Sequence, residues 1–205
     1  MTDMGAFRTA VTAWAAGGPG GPAQDLADRL LLHTAVLLEG PSDAAAVGAM
    51  AARHGRDLAA EGVCVLPMGG AMSVGRYAEL LGPSALDLRL VGLCDEREQD
   101  FYVRALKRAD AAPDGLFVCA ADLEDELIRA LGVSAVTELV EAEGESRRLQ
   151  TFLRQPAQQG RAAHQQLRRF LGTKAGRKIR YGRVLVEALE PTRTPAPLAG
   201  LFGAL

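Results

Sequence analysis

Four short apolar runs alternate with helical segments between residues 34 and 131, and this alternation constrains the fold more than any other feature. The runs are AVLL at 35–38, GVCVL at 62–66, LRLVGL at 88–93 and LFVCA at 116–120. Runs that are almost wholly apolar are typical of strands buried on both faces, and a helix between successive strands favours parallel pairing. We therefore predict an α/β fold with a mainly parallel sheet flanked by helices.

The helical patterns on either side of this region divide the chain into three predicted parts. Residues 1–33 are expected to form a small helical segment interrupted by GGPGGP at 17–22, and residues 34–132 the α/β domain. After residue 132 the strand pattern ends, and helical patterns follow at 134–143, 146–154, 162–171 and 179–189. Residues 133–205 are therefore predicted to form a C-terminal helical appendage.

The net charge of −2 hides an uneven distribution of charge along the chain. From Arg147 to Arg183 there are eleven Lys or Arg residues, and all 25 Asp and Glu residues lie outside this stretch. A basic stretch is typical of proteins that bind a polyanion, because each Lys or Arg that reaches a phosphate releases counterions. A solvated helix face has the same composition and is the alternative interpretation.

The expected location follows from what the sequence lacks. No apolar run approaches the roughly 20 residues that a membrane helix needs, and the first residues show no signal-peptide pattern. The three cysteines form no CxxC pair, so we expect free, buried thiols. Together these features predict a cytoplasmic protein that does not act at a membrane.

Carboxylates follow three of the four predicted strands, where the carboxyl ends of parallel strands meet at one edge of the sheet. They are Glu39 and Asp43, then Asp95, Glu96 and Glu98, then Asp122 and the acids at 124–126. Helix capping explains one acid per helix start, but like charges at converging strand ends need a cation or a proton. The sequence thus indicates a site for one or two Mg²⁺ or Mn²⁺ ions, with caps and surface acids as the alternative.

The motifs at these strand ends resemble a known family. LEGPSD at 38–43 resembles the EGxSD signature that opens a Toprim domain. The spacing onward to GVCVLPMGG at 62–70, GLCDERE at 92–98 and ADLEDEL at 121–127 resembles the Toprim domain of the OLD (overcoming lysogenization defect) nucleases. The resemblance spans about residues 34–131 and implies a small parallel sheet flanked by helices, with metal-dependent nuclease activity.

The resemblance also implies roles for individual residues. Glu39 matches the strand-end glutamate that binds metal or acts as an acid or base, and Asp43 matches a ligand of the second metal. Asp95 matches the first aspartate of the DxD motif, and Glu124 the acid of the later strand end. OLD nucleases further use a lysine beyond the Toprim core, for which the preferred candidate is Lys178, with Lys174 as the alternative.

Two features depart from the family pattern. Arg97 occupies the second acidic position of DxD, so Glu96 or Glu98 has to replace that acid; Glu98 is the choice adopted for the metal site. OLD proteins also carry an ATPase ahead of the Toprim domain, whereas this sequence has no GxxxxGK[ST] motif. We therefore expect a stand-alone Toprim protein whose ATPase partner, where it has one, is a separate chain.

These observations lead to one main hypothesis and two alternatives. The main hypothesis is a Mg²⁺- or Mn²⁺-dependent endonuclease that cleaves DNA by a one- or two-metal mechanism, with Glu39, Asp95 and Lys178 as catalytic residues. Nucleic acid would contact the basic residues Lys174, Arg177, Lys178 and Arg180. The alternatives are an RNA-processing nuclease and a non-catalytic subunit of an ATPase complex that binds metal or nucleic acid. A homodimer is left open.

Overall fold

A four-stranded parallel sheet lies at the centre of the computed structural model, which describes residues 3–112 and 115–205. The strands are β1 (Thr34–Leu38), β2 (Val63–Pro67), β3 (Arg89–Asp95) and β4 (Leu116–Cys119). The helices up to β4 are α1 (Asp3–Ala15), α2 (Gly21–Arg29), α3 (Pro41–Arg53), α4 (Val74–Leu81) and α5 (Gln99–Arg108). Those after it are α6 (Leu123–Leu131), α7 (Val133–Ala142), α8 (Ser146–Leu153), α9 (Ala163–Leu171), α10 (Ala175–Ala188) and α11 (Ala196–Gly203).

The strand order reverses next to the carboxyl end of β1. The order is β2-β1-β3-β4, and every pair is parallel, with Val36 of β1 paired to Val65 of β2 and Val91 of β3. The chain leaves β1 toward β2 on one side and returns to β3 on the other, so the strand order reverses between β1 and β3. In open parallel sheets, ligands bind in the crevice at such a reversal, outside the carboxyl ends of the strands. The predicted α/β fold with a parallel sheet is confirmed.

Alternate side chains of β1 pack in two separate apolar layers, because successive side chains of a strand point to opposite faces. Ala35 and Leu37 pack in one cluster with residues of α1, α2, α4 and α5. Val36 and Leu38 pack in the other cluster with residues of α3, α6 and the C-terminal helices. All five residues of β1 are buried, and the four that follow Thr34 are apolar, as is typical of a strand covered on both faces.

The helices outside residues 34–132 belong to these same two layers. Phe7 and Val11 of α1 lie in the first layer, and Tyr181 and Leu185 of α10 lie in the second; all four are fully buried. The C-terminal helices thus cover one face of the sheet. The domain boundaries at residues 33 and 132 stay predictions.

Helix α10 lies directly on α3, and one glycine sets their separation. A Cβ atom at Gly182 would stand 2.5 Å from the backbone oxygen of Ser42, so only glycine allows this approach. Lys178 is one helical turn before Gly182 and therefore shares its face of α10. The close contact brings this lysine to the beginning of α3, beside the carboxyl end of β1.

Two further expectations can be compared with the described residues. Cys64, Cys94 and Cys119 are free and buried, as predicted. None of the described helices has the length and apolar character that crossing a membrane requires.

Candidate metal centre

The turn after β1 holds the first two acidic residues in place. Glu39 directly follows the strand, and its backbone carbonyl accepts a hydrogen bond from the N–H of Gly70 at 3.0 Å. The N–H of Gly40 donates to Oδ2 of Asp43 at 3.0 Å, which stabilises the first turn of α3. Asp43 therefore has a capping role, as the alternative interpretation of the sequence expected, while its second oxygen lies outside this bond.

The carboxyl end of β3 brings two more acids to Glu39. Asp95 ends the strand, and a short 3₁₀ turn over Glu96–Glu98 then brings Glu98 back toward the sheet. One carboxylate oxygen each of Glu39, Asp95 and Glu98 lie within 4.8 Å of one another, the only such group among residues 3–112 and 115–205. Glu96 and Arg97 are exposed, so the structure places Glu98, rather than Glu96, beside Glu39 and Asp95.

Two of the three grouped acids have a raised pKa. Burial raises the pKa of Asp95 to about 7, and the charges of Asp122 and Glu39 add to the shift. Burial also raises the pKa of Glu98 to about 7, together with a hydrogen bond to Glu39 and the charge of Glu39. Three carboxylates this close cannot all ionise without a compensating charge, so the arrangement favours either bound protons or a bound cation.

Glu124 and Lys178 form the second part of the site. Glu124 lies in the first turn of α6 and its side chain is 4% exposed; Nζ of Lys178 is 3.4 Å from its Oε2. Burial raises the pKa of Glu124 to about 7, opposed by the charge of Lys178. Burial alone would lower the pKa of Lys178, but the charges of Glu124 and Asp43 outweigh it and raise that pKa. Lys178 is therefore a cation beside Glu124 and Asp43.

The acid after β4 has a structural role that the sequence suggested only in part. Oδ1 of Asp122 caps α6 by accepting from the N–H of Asp125 at 2.8 Å. Its Oδ2 accepts from Nε of Arg168 at 2.7 Å and from Nη2 at 2.6 Å. The sequence predicts the cap but gives no sign of Arg168, which comes from α9, 46 residues later.

One predicted nucleic-acid contact has to be corrected. The side chain of Arg177 is 6% exposed, and its guanidinium donates to both carboxylate oxygens of Glu145 at 2.8 and 3.0 Å and lies over the ring of Phe170. A buried guanidinium with these bonds is a structural group, so Arg177 does not reach a phosphate. The sequence missed this pair because Glu145 precedes the basic stretch and a run of charges does not show which members face inward.

The other basic candidates differ in how far they are already paired. Arg180 bonds to Glu145 through Nη2 at 2.9 Å and lies 3.5 Å from Glu143 through Nε. Lys174 is exposed just before α10 and has no acidic partner among the described residues. Contact of Lys174, Lys178 and Arg180 with nucleic acid stays a prediction.

Residues 30–96 match the family model described as overcoming lysogenization defect protein-like, TOPRIM domain. This match includes Glu39, Asp43 and Asp95, and it ends before Glu98, Glu124 and Lys178. A search of curated protein sequences finds no match.

Solved structures of OLD proteins resemble the fold of this chain. The C-terminal region of the Xanthomonas campestris pv. campestris OLD protein superposes with a TM-score of 0.64 at 21% identity, covering 84% of this chain and 91% of that one. The C-terminal region of the Burkholderia pseudomallei OLD protein gives a TM-score of 0.60 at 20% identity, covering 84% and 96%. At these identities the likeness establishes the fold. Residues 30–96 are thus similar to the OLD-like Toprim domain, and the chain has the fold of the OLD C-terminal regions.

Proposed function

We propose that this protein is a metal-dependent nuclease that hydrolyses DNA phosphodiester bonds, with Glu39, Asp95 and Glu98 as the ligands of a divalent cation. The observation that carries the proposal is the meeting of these three carboxylates within 4.8 Å at the crevice between β1 and β3. The Toprim match of residues 30–96 supports a role of the nuclease type.

The residues fit a hard divalent cation. All the candidate ligands are carboxylate oxygens, which Mg²⁺ and Mn²⁺ prefer over nitrogen or sulfur. Oε2 of Glu98 is buried and accepts no hydrogen bond among the described residues, whereas Oε2 of Glu124 is buried with only the ammonium group of Lys178 beside it, at 3.4 Å. An unpaired buried carboxylate oxygen is costly, and a cation would remove that cost. Asp43 and Glu124 are the candidates for a second ion.

Each residue has a defined task in this proposal. When bound, Mg²⁺ or Mn²⁺ supplies a Lewis acid that polarises the phosphodiester and offsets its charge. Glu39, Asp95 and Glu98 fix the position of that charge at the strand ends. Lys178 places its ammonium group beside Glu124, where it can stabilise the negative charge that grows on the phosphate in the transition state.

A plasmid nicking assay with Mg²⁺, Mn²⁺ or Ca²⁺ tests the proposal through Glu39→Gln, which keeps the size of the side chain and removes its charge. Loss of a group that only orients a metal ligand costs about 10–100-fold, so loss of a ligand should lower cleavage by at least about 100-fold. Glu141→Gln is the matched control, because Glu141 is exposed on α7 and has no ion pair among the described residues. Full activity of Glu39→Gln, or no cleavage by the unaltered protein with any of the ions, would refute the proposal.

The nature of the substrate and partners is part of the same proposal. DNA is the proposed substrate, and structured RNA in the same assay is the direct comparison for an RNA-processing role. A separate ATPase chain as a partner and a cytoplasmic location also remain proposals. Binding of nucleic acid in Mg²⁺ without products would favour a non-catalytic subunit instead.

A further inference from the structure

The basic stretch from Arg147 to Arg183 separates into two groups of residues. Six of its eleven members form ion pairs, namely Arg148, Arg168, Arg177, Lys178, Arg180 and Arg183. The other five have no acidic partner among the described residues, namely Arg147, Arg154, Arg161, Arg169 and Lys174. The residues of the second group are exposed and can receive an anion from outside the protein.

Two of these open arginines line a cleft that adjoins the candidate metal centre. We call it the α9 cleft: it has a volume of about 520 Å³ and is lined by Asp122, Glu124, Arg161, Gln165, Arg169 and Lys178, with Arg168 and Gly172 completing its wall. Residues 165 and 168–169 and the C-cap Gly172 recur at helical spacing, so they lie along one face of α9, and Arg161 lies just before this helix. The cleft shares Glu124 and Lys178 with the candidate metal centre.

The lining residues of the cleft differ in exposure and in how their charges are paired. Among the less exposed ones, Asp122 is paired with Arg168, and Glu124 with Lys178. Of the exposed ones, Arg169 has no acidic partner among the described residues, and Arg161 donates only Nε, to the backbone oxygen of Ala157 at 2.7 Å. A ligand that fits this pattern is an extended anion, with phosphates on the exposed arginines and one phosphate at the carboxylate centre.

The size of the cleft restricts this anion further. Cavities of roughly 300–1,000 Å³ hold one ligand of drug size, which matches a nucleotide and is too small for a duplex. The residues lining the cleft, all within the described part of the chain, include no aromatic ring on which a base could stack. Binding would therefore depend on the phosphates and on salt, with little preference among bases.

We propose that the α9 cleft binds single-stranded DNA next to the phosphate that is cut, with Arg161 and Arg169 on the backbone phosphates. The inference rests on the proposed nuclease function for the position of the cut, whereas binding of the strand can be measured without cleavage. The nuclease therefore takes frayed ends, gaps or unpaired segments into this cleft, including the segments that supercoiling opens in the plasmid of the nicking assay, whereas a fully paired, relaxed duplex does not enter it.

The test measures the affinity for a labelled oligothymidylate of about 12 nucleotides, a length within the range of single-strand binding sites, by fluorescence anisotropy in Ca²⁺ at several salt concentrations. Each phosphate contact to a single strand contributes about 0.7 to the slope of log K against log salt. The variant Arg161→Gln/Arg169→Gln should lower that slope by about 1.4. The variant Arg147→Gln/Arg154→Gln removes the same charge away from the cleft and should leave the slope unchanged.

Several outcomes would overturn the inference. They are equal loss of slope in both double variants, loss only in Arg147→Gln/Arg154→Gln, no binding of the strand by the unaltered protein, or equal binding of a blunt duplex of the same length. The expected slopes without any cleavage in Mn²⁺ would instead support strand binding in the cleft and refute the nuclease function, so the two failures are distinguishable.

Discussion

Asp95 and Glu98 have a pKa of about 7 in the folded chain, far above the usual 3.8 and 4.5. The folded protein therefore holds protons between about pH 4 and 7 that the unfolded chain has released. Because stability falls with rising pH wherever the folded state binds more protons, the metal-free protein should lose stability across this window and stay less stable above it.

We therefore expect the melting temperature in EDTA to be higher at about pH 5.5 than at about pH 8. Mn²⁺ should raise the melting temperature more at the higher pH, because at the lower pH it must displace protons from the same oxygens. Asp95→Asn/Glu98→Gln should weaken the pH dependence, of which the part due to the raised pKa of Glu124 remains, and it should abolish the effect of Mn²⁺. A melting temperature in EDTA that climbs steadily from pH 5.5 to 8 would contradict this account.

The buried pair of Glu145 and Arg177 is a residue-scale determinant of stability. Hydrogen bonds from Arg177 lower the pKa of Glu145 to about 2, with further help from Arg148 and Arg180. Stability from this shift is present above the usual pKa of 4.5 and is lost as the pH falls from there toward 2. This window lies below that of Asp95 and Glu98, so the two effects can be measured separately.

Arg177→Met should destabilise the protein by about 3 kcal/mol, because it leaves Glu145 buried with only its more exposed partners. Arg183→Met is the control, since Arg183 pairs with Glu187 on the surface and such pairs contribute at most about 1 kcal/mol. Urea unfolding at neutral pH measures both. Equal losses of unfolding free energy in the two variants would show that the buried pair contributes no more to stability than the surface pair.

At the scale of elements, the contact between α10 and α3 positions the lysine of the site. The backbone oxygen of Ser42 occupies the space that a Cβ at residue 182 would need, whereas a Cβ at Gly176 of the same helix would meet nothing within 4 Å. We therefore expect opposite effects on stability when each of these two glycines is replaced by alanine.

Gly182→Ala should cost about 1–3 kcal/mol through overpacking, and it should reduce cleavage because α10 carries Lys178 away from Glu124. Gly176→Ala should stabilise the helix by about 0.5–1 kcal/mol and keep full activity. Free energies of unfolding and nicking rates test both variants. An active, fully stable Gly182→Ala protein would show that α10 does not need this close approach.

The sequence predicted the elements whose signals are local. Apolar runs of four to six residues indicated the strands, and parallel strands bring their carboxyl ends together, so Glu39 and Asp95 could be predicted to meet. The choice of Glu98 over Glu96 depends on the 3₁₀ turn after β3, which no sequence pattern specified. Arg177 was misassigned because its inward direction depends on Glu145 and on how α10 packs, which are tertiary features.

At the scale of the whole molecule, the segment after residue 132 supplies a large part of one apolar layer. Tyr181, Leu185, Leu198 and Leu201 are fully buried in the cluster that contains Val36 and Leu38 of β1. Without them, one face of the sheet would be exposed to water, and a large exposed apolar face promotes aggregation.

A chain that ends at residue 132 should therefore fail to fold, although it contains all four strands and the acids at 39, 95 and 98. We expect aggregation or a loss of near-ultraviolet circular dichroism, while the full chain gives a cooperative melt. Adding residues 133–205 as a separate polypeptide is the stringent control. A soluble, cooperatively folded 1–132 fragment would contradict the view that the two parts share one core.

The placement of Lys178 on α10 has a consequence for the timing of activity during synthesis. A ribosome makes the acidic strand ends first, and the ammonium group that faces them is added more than 50 residues after Glu124. A growing chain thus presents carboxylates without their cationic partner and cannot assemble the complete centre. The candidate metal centre is in this way completed only when α10 docks on α3 and brings Lys178 to Glu124.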